Sequence, residues 1–383
     1  MEVDKRFEMI RRNTEEILTE EDLKSLLEKK ERLKHYIGFE ISGKVHLGTG
    51  LASMLKVKDF INAGVDCSIF LADWHSWIND KLGGNSETIK KFAVGYFKEA
   101  LKASLKCVGC NNKDINKIKF VLGSDLYHNN DLYWRSFIDI CKNVNLARIL
   151  RSITIMGRKE GESVDFAKLI YPPMQVADIF IQDINLAHAG LDQRKAHVIS
   201  REVASKLSFR PLTDENGNVI KPIAVHHHLI LGLGKPSKWP ISKEEIKEVL
   251  LDMKMSKSKP DTCIFIHDSP EEIRNKVRKA FCMEKEIIYN PILDWCKYLI
   301  FPISDRLEIK RDKKYGGNVD YSSHEEIERD FKEGKLHPTD LKNAISDRLI
   351  NILEPAREHF SNGKPKKYLE ELEKLLENNQ KLI

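Results

Sequence analysis

The stretch YIGFEISGKVHLGTG, residues 36–50, joins an apolar, strand-like segment to a glycine-rich turn, and a helical pattern follows it. The N-terminus of a helix offers unpaired backbone N–H groups and the positive end of the helix dipole, and both attract anions. Glycine lets a phosphate approach the backbone closely, and His46 adds a donor at the same turn. The stretch therefore predicts a phosphate-binding turn, although a turn with only a structural role could have the same letters.

The segments around this turn alternate between strand-like and helical patterns. Buried strands are predicted at HYIGFEIS (35–42), CSIFLAD (67–73), KIKFVLGSD (117–125) and AVHHHLILGL (224–233). Helices are predicted within residues 43–64, 86–105 and 190–207, while LIYPPMQVADIFIQ (169–182) is expected to cross back towards the sheet. Strands that alternate with helices form parallel sheets, so we predict an α/β fold with a Rossmann-type, doubly wound parallel sheet.

The two ends of the chain and its middle are predicted to be helical. The first 35 residues have an amphipathic helical pattern in which Thr19 is a plausible N-cap, and residues 130–168 are mainly helical. From Asp268 the pattern is again helical, with Pro270 and acidic residues at a helix start. We therefore predict a Rossmann-type domain at 1–265, with a helical insertion at about 130–170, and a helical domain at 266–383.

Composition limits the classes of protein that the chain can be. Among 383 residues, 63 Lys and Arg stand against 58 Asp and Glu, a formal net charge of +5. That balance excludes a simple charge-driven nucleic-acid binder but allows local basic patches. We find no apolar stretch long enough to cross a bilayer, and the acidic start does not resemble a targeting segment. A cytoplasmic protein with no membrane partner is therefore expected.

Two groups of residues have the composition of metal ligands but not the required arrangement. Cys107 and Cys110 form one CxxC pair, whereas a closed zinc site usually needs two such pairs. His226, His227 and His228 lie in a predicted strand, where successive side chains point to opposite faces. We therefore predict that the protein holds no metal through its own ligands.

A second motif, KMSKS at residues 254–258 (the KMSKS loop), follows the last predicted strand. Its two lysines and two serines offer several donors to a polyphosphate. The lysine charges can stabilise the negative charge that develops on a leaving pyrophosphate. By composition alone, a basic surface loop would look the same.

Together the two motifs resemble the class I aminoacyl-tRNA synthetases, whose signatures are His-x-Gly-His and Lys-Met-Ser-Lys-Ser. They occur in the family order, about two hundred residues apart, on an alternating α/β chain. The first motif departs from the pattern, because Thr49 stands where the second histidine usually does. A threonine hydroxyl can donate a hydrogen bond but cannot carry a positive charge.

Four further segments resemble the tyrosyl-tRNA synthetases of archaeal and eukaryotic type: YIGFEISGKVHLG (36–48), IYPPMQVADI (170–179), GLDQRKAH (190–197) and HPTDLKNAI (337–345). The resemblance implies an enzyme that activates L-tyrosine with ATP to tyrosyl-adenylate and transfers tyrosyl to the 3' end of tRNA(Tyr). Mg²⁺ would accompany the ATP phosphates, and the C-terminal helical domain would bind the anticodon. The same resemblance implies a homodimer, formed through the inserted helical segment.

The resemblance also assigns residues of this sequence to the substrates. Tyr36 and Asp178 would bind the phenol hydroxyl of tyrosine. The α-amino group would be held by Tyr171, Gln175 and Gln193. The rest of the amino-acid pocket would comprise Gly38, Glu40, Ala72 and His75. The ATP site would comprise His46, Gly48, Thr49, Lys254, Met255, Ser256, Lys257 and Ser258, with His46, Lys254 and Lys257 as the catalytic residues.

The tRNA would contact residues outside this pocket. Arg194 and Arg151 are candidates for the acceptor end, although both could be ordinary salt-bridged arginines. Tyr315 is placed to stack on an anticodon base, and Asp340 could accept hydrogen bonds from a base edge, with His337 beside it. The alternative for Asp340 is the N-cap of the helix that follows.

Two other functions remain open from the sequence. A tryptophanyl-tRNA synthetase would share the scaffold and both motifs, but the pair Tyr36 and Asp178 favours a phenol over an indole. A catalytically silent RNA-binding paralogue would keep the fold. The intact KMSKS loop argues against that paralogue, while Thr49 favours it.

Overall fold

The computed structural model of this chain describes residues 2–236, 238–242 and 244–380. Six strands form one sheet in the order β1-β6-β5-β2-β3-β4, and two more form a small hairpin. The strands are β1 Glu16–Leu18, β2 Lys34–Phe39, β3 Asp66–Leu71, β4 Lys119–Leu122, β5 Leu186–Gly190, β6 Ile223–His227, β7 Leu307–Ile309 and β8 Val319–Tyr321.

Helices flank the sheet and form most of the C-terminal region. In the part of the sequence before β5 they are α1 Val3–Arg11, α2 Glu20–Glu28, α3 Ser53–Asn62, α4 Asp73–Ile78, α5 Ser86–Phe92, α6 Lys98–Cys107, α7 Asn112–Lys117, α8 Gly123–Tyr127, α9 Asp131–Lys142, α10 Leu146–Ser152 and α11 Phe166–Ile181. After β5 they are α12 Arg194–Val203, α13 Ile246–Asp252, α14 Pro270–Lys279, α15 Pro291–Trp295, α16 Phe301–Ile303, α17 His324–Glu333, α18 Pro338–Ile352, α19 Glu354–His359 and α20 Gly363–Gln380.

The predicted doubly wound parallel sheet is confirmed. Strand β2 pairs in parallel with β3 on one side and with β5 on the other, and β4 and β6 extend the sheet in parallel from those two strands. The chain therefore winds outwards in both directions from β2. In such sheets the crevice for a ligand lies at the carboxyl ends of the strands, where the order reverses. Here that point is between β2 and β5.

The two faces of the sheet support two apolar clusters. Ile37, Ile69 and Leu186 pack on one face with the residues of α3 and α6. Tyr36, Phe70 and Ala187, one position away on the same strands, pack on the other face with the residues of α11 and α12. This alternation is the period-two pattern of a sheet that is buried on both faces.

Several local predictions were wrong. The first 35 residues are not helical throughout, because the short strand β1 lies between α1 and α2 in the chain. This strand pairs antiparallel with β6. Residues 169–182 belong largely to helix α11, in spite of Pro172 and Pro173, since burial of this apolar helix outweighs the two missing backbone donors. The strand β5 was not predicted. The helix start signals at Thr19 and Pro270 are confirmed, because Thr19 caps α2 and Ser269 caps α14 just before Pro270.

The C-terminal region is helical except for the hairpin of β7 and β8, which composition did not indicate. Its last helix, α20, turns back onto the N-terminal part of the chain, where the ring of Tyr368 packs against Gly95. A division into domains near residue 265 stays a prediction.

Gly50 allows the glycine-rich turn to lie close to the core. A Cβ at this position would lie 2.6 Å from Ser104 Oγ and 2.9 Å from Ile266 Cγ2. We therefore expect Gly50→Ala to lower the free energy of unfolding by about 1–3 kcal/mol through overpacking.

Gly234→Ala is the matched control for this test, because the nearest atom to its Cβ, Thr262 Cγ2, would be 3.4 Å away. Denaturant unfolding monitored by circular dichroism measures both variants. Equal changes in the two proteins would contradict the tight packing at Gly50.

Candidate active site

One cavity of about 970 Å³ opens at the carboxyl ends of β2, β3, β5 and β6. The structure brings together in its lining every residue that the sequence assigned to the amino acid and to ATP: Tyr36, Gly38, Glu40, His46, Gly48, Thr49, Ala72, His75, Tyr171, Gln175, Asp178, Gln193, Lys254, Met255, Ser256, Lys257 and Ser258. None of the residues assigned to tRNA lines it. The cavity therefore has the position that a doubly wound sheet provides for a ligand.

Asp178 is a carboxylate at the buried floor of this cavity, with 1% of its surface exposed. It accepts hydrogen bonds from the hydroxyls of Tyr127 at 3.1 Å and Tyr133 at 3.3 Å. Burial raises the pKa of Asp178 well above its usual range, and these two hydrogen bonds act in the opposite direction. Burial also raises the pKa of the neighbouring Tyr36, so that its hydroxyl stays protonated. The floor is thus built to exchange hydrogen bonds with a hydroxyl group.

Tyr127 and Tyr133 were not identified from the sequence. Tyr127 ends α8 and Tyr133 lies in α9, and both are outside the segments that resemble a known family. An aromatic residue in a helical pattern gives no sign that its hydroxyl reaches a carboxylate 45 or more positions later. Only the fold shows their function as donors to Asp178.

Polar groups continue along one wall of the cavity. Glu40 accepts hydrogen bonds from Tyr171 Oη at 3.0 Å and from Asn79 Nδ2 at 2.8 Å. Gln193 Nε2 donates to the carbonyl of Ile155, and Gln193 Oε1 lies 3.4 Å from Gln175 Nε2. Among the described residues, Gln175 Oε1 is a buried oxygen that has no donor. This acceptor is free for an ammonium group in the cavity.

The glycine-rich turn, residues 43–50 (the signature turn), fixes the tautomer of His46. Its Nδ1 lies 3.1 Å from the N–H of Gly48 and 3.3 Å from that of Thr49, so that Nδ1 accepts. Burial lowers the pKa of His46 to about 3, and the neutral ring must then carry its proton on Nε2. That nitrogen is 3.1 Å from Thr49 Oγ1. Thr49 Oγ1 therefore accepts a hydrogen bond from His46 Nε2.

The signature turn is tied to the segment that follows the KMSKS loop. His46 forms an antiparallel bridge with Phe265, and the N–H of Leu47 donates to the carbonyl of Ile264 at 3.0 Å. The N–H of Val45 donates to Tyr96 Oη at 2.9 Å. Residues more than two hundred positions apart are thus held in one rigid arrangement beside the cavity.

The lysines of the KMSKS loop bind protein acceptors in this structure. Lys254 forms an ion pair with Asp192, and Lys257 Nζ donates to Ser42 Oγ at 2.7 Å. Met255 anchors the loop, since it is buried and its N–H donates to the carbonyl of Ile230. Desolvation lowers the pKa of Lys257 to about 8. Two cations therefore face the same side of the cavity as the signature turn.

The residues assigned to tRNA lie outside this cavity, with His337 and Asp340 together at the start of α18 and the carbonyl of Arg151 accepting a hydrogen bond from Lys195, the neighbour of Arg194. Arg194 forms an ion pair with Glu16 at 2.8 Å, and Arg151 is exposed. Tyr315 is 64% exposed, and the ammonium group of Lys314 lies 4.8 Å from its ring centre. The alternative that Asp340 is an N-cap was wrong. Helix α18 begins at Pro338, so Asp340 lies in its first turn. The N-cap is His337, whose side chain accepts a hydrogen bond from the N–H of Thr339.

The three consecutive histidines have three different partners. His226 stacks on His197, His227 Nδ1 lies 2.7 Å from His188 Nε2, and His228 Nε2 lies 2.6 Å from Asp294. Within the described ranges, no group of three or more His, Cys, Asp or Glu side chains is arranged to hold a metal ion. No helix in this described part of the chain has the length and apolar character needed to span a membrane.

Comparisons with known proteins give a consistent result. A family model described as tRNA synthetases class I (W and Y) matches residues 28–354. A tyrosine–tRNA ligase of Thermococcus sibiricus is 58% identical over 363 residues, which are 94% of this chain and 96% of that protein. A crystal structure of a tyrosyl-tRNA synthetase from Pyrococcus horikoshii, complexed with L-tyrosine, is 55% identical. It superimposes with a TM-score of 0.93 over 98% of this chain and all of that chain.

The pKa of Lys257 is directly testable. Its ammonium is expected to lose its proton near pH 8, well below the ordinary value of 10.5, because the folded protein desolvates it. Between these two pH values the unfolded chain binds more protons at this residue than the folded chain does. This lysine therefore makes folding more favourable as the pH rises through that window. An NMR titration of the labelled lysine ε-carbons, with the signal assigned by Lys257→Arg, measures it. A midpoint at or above pH 10 would contradict the desolvated environment.

Proposed function

We infer that this chain, which belongs to the family of class I tRNA synthetases for tryptophan and tyrosine, is a tyrosine–tRNA ligase. Within the site, the observation that most strongly supports tyrosine as the substrate is the buried carboxylate of Asp178 at the cavity floor, which accepts hydrogen bonds from Tyr127 and Tyr133. The enzyme uses ATP to activate tyrosine and then esterifies tRNA. The resemblance to tyrosyl-tRNA synthetases predicted from the sequence is confirmed.

The floor of the cavity distinguishes a phenol from an indole. A phenol hydroxyl can donate to Asp178 and at the same time accept from Tyr36, which are both buried. An indole N–H can donate but offers no acceptor, and phenylalanine offers neither. A buried group left without its partner costs about 1–3 kcal/mol, so the floor disfavours both of the other aromatic amino acids.

The other end of the amino acid would lie along the polar wall. The α-ammonium group would bind Gln175 Oε1, the buried acceptor without a donor, with Tyr171 and Gln193 beside it. Glu40, which already accepts from Tyr171, places a negative charge on the same wall. Gly38, Ala72 and His75 complete the pocket. This orientation directs the carboxylate of tyrosine towards the signature turn.

The first step needs positioning and charge stabilisation but no protein nucleophile. A carboxylate oxygen of tyrosine attacks the α-phosphorus of ATP, the bond to the bridging oxygen breaks, and pyrophosphate leaves with the electron pair. His46 would donate from Nε2 to a phosphate oxygen, and Lys254 and Lys257 would stabilise the charge that develops on pyrophosphate. Mg²⁺ would be bound by the ATP phosphates themselves, since phosphate oxygens are ligands that it prefers.

In the second step a ribose hydroxyl at the 3' end of tRNA(Tyr) attacks the carbonyl carbon of the adenylate, and AMP leaves. Arg151 and Arg194 would contact the acceptor end. Tyr315 would stack on an anticodon base, and Asp340, with His337 beside it, would accept from a base edge. The exposed ring of Tyr315 and the position of Asp340 outside the cavity support these roles.

An exposed apolar surface supports a homodimer. Large apolar side chains stand in solvent on α9, α10 and the start of α11: Leu132, Ile138, Leu146, Leu150 and Phe166. Phe166 is 78% exposed and Leu146 is 61% exposed. Monomeric proteins rarely expose several large apolar residues on adjacent elements, and a twofold axis would bury this surface against its copy.

The function is tested by ATP–pyrophosphate exchange with the unmodified protein. Tyrosine should support exchange, while tryptophan and phenylalanine should support it at least about fivefold less efficiently, from the cost of about 1–3 kcal/mol for an unpartnered buried group. A better rate with tryptophan would contradict the assignment to tyrosine. No exchange with any amino acid would indicate the catalytically silent paralogue.

Thr49 is expected to be a working substitute for histidine in the signature turn. Thr49→Val removes the hydroxyl at nearly constant volume, and the ring of His46 then loses the contact that holds Nε2 in place for its donation to a phosphate oxygen. Loss of this hydrogen bond should slow adenylate formation by about 2- to 10-fold. Thr49→Ser, which keeps the hydroxyl, is the control. If Thr49→Val formed adenylate at the unmodified rate, the hydroxyl would have no part in activation.

The dimer is tested by a charge in the apolar surface. Phe166→Glu should produce a monomer in sedimentation equilibrium, because a carboxylate cannot be buried there without a partner. Ile288→Glu is the control, since Ile288 is 60% exposed and lies outside the inserted segment. A dimer that persisted in Phe166→Glu would place the interface on another surface.

A further inference from the structure

The last helix, α20, returns to the edge of the active-site cavity. Its buried residue Leu372 packs into the core, and Tyr368 covers Gly95. Two ion pairs fasten it to the rest of the chain: Lys91 to Glu371 at 2.7 Å and Lys44 to Glu373 at 2.6 Å. The last helix is therefore docked beside the site.

Helix α20 forms a wall of the cavity on the side of the phosphates. Glu373, Leu376 and Glu377 line it together with the residues of the signature turn and the KMSKS loop. A Cβ on Gly43 would lie 3.9 Å from Leu376 and 3.8 Å from the Cδ atom of Lys257. The helix, the signature turn and the KMSKS loop therefore meet at one point.

Lys44 stands where these three elements meet. It follows Gly43 in the signature turn and lines the cavity, with its ammonium group 5.7 Å from the ring of Phe265. Its only ion pair among the described residues is with Glu373. Lys254 has the same kind of arrangement, because it is paired with Asp192. Lys44 and Lys254 thus both bind protein carboxylates in this structure.

We propose that Lys44 is a further phosphate-binding residue of the ATP site and that Glu373 of α20 is its counter-ion, which the phosphates displace. This inference rests on the proposed function. A partly exposed ion pair contributes little stability, and 25% of the Lys44 side chain and 39% of the Glu373 side chain are exposed. A polyphosphate offers several anionic oxygens to the same ammonium group and can replace the single carboxylate.

The counter-ion lowers the affinity of the site for both ATP and pyrophosphate. Glu373 competes for Lys44, and its negative charge also repels the phosphates as they arrive. The same effect helps pyrophosphate to leave after the adenylate has formed, because Glu373 pairs with Lys44 again. Helix α20 therefore sets the balance between capturing ATP and releasing the first product.

Glu373→Gln in the full chain tests the proposal. Single-turnover adenylate formation at saturating tyrosine gives the dissociation constant of ATP, and the reverse reaction with inorganic pyrophosphate gives that of the product. Both constants should fall by about two- to fivefold, the range of an exposed ion pair. Lys44→Met should raise both, while the dissociation constant of tyrosine stays unchanged in either variant.

Glu371→Gln is the matched control, because it breaks the other ion pair of α20 but lies outside the cavity lining. It should leave the affinity for ATP unchanged. Equal changes of ATP affinity in Glu371→Gln and Glu373→Gln would show that the affinity depends on docking of α20 and not on the charge of Glu373. That result would overturn the proposal. An unchanged or weaker affinity for ATP in Glu373→Gln would also overturn it.

A double variant tests whether Glu373 acts through Lys44. In the background of Lys44→Met, Glu373→Gln should give a smaller gain in ATP affinity than it gives alone. A full gain in that background would overturn the assignment of Lys44 as a phosphate ligand. Failure of the unmodified protein to form tyrosyl-adenylate would instead contradict the proposed function itself, so that the two failures are distinguishable.

Discussion

The site depends on a buried carboxylate that must be satisfied by hydroxyl groups. Asp178 has almost no contact with solvent, and an isolated charge in such a position is costly. The fold provides two donors, Tyr127 at the end of α8 and Tyr133 in α9. Tyr36 completes the floor on β2. The doubly wound sheet is therefore what brings these tyrosines to one carboxylate, and the tyrosine substrate would add the same chemical group from the cavity.

A second set of hydrogen bonds fixes the position of the phosphate side of the cavity relative to that floor. The backbone bonds between the signature turn and residues 264–266 link two motifs that are distant in sequence. Beneath the turn, the buried imidazoles of His35, His188 and His227 form a hydrogen-bonded chain that reaches Ser53, whose hydroxyl contacts the carbonyl of Gly48. Desolvation lowers the pKa values of all three rings, so the chain is neutral and adds no charge near ATP.

The sequence predicted the features that have a local pattern. Apolar runs gave most of the parallel strands, and the residues of both motifs are together in one cavity. Other features are determined by tertiary packing. Strand β1 has three residues, too few for an alternating pattern, and α11 continues through two prolines because its apolar surface is buried. The donors of Asp178 and the return of α20 depend on contacts between residues far apart in sequence, which no single segment indicates.

The central claim is that the carboxylate of Asp178 recognises the phenol hydroxyl. Calorimetric titration of tyrosine and of phenylalanine into the unmodified protein and into Asp178→Asn tests it most directly. The amide keeps one acceptor oxygen for three donors, so tyrosine should bind at least tenfold more weakly while phenylalanine binds about as before. An equal loss of affinity for both amino acids, or no loss for tyrosine, would contradict this account.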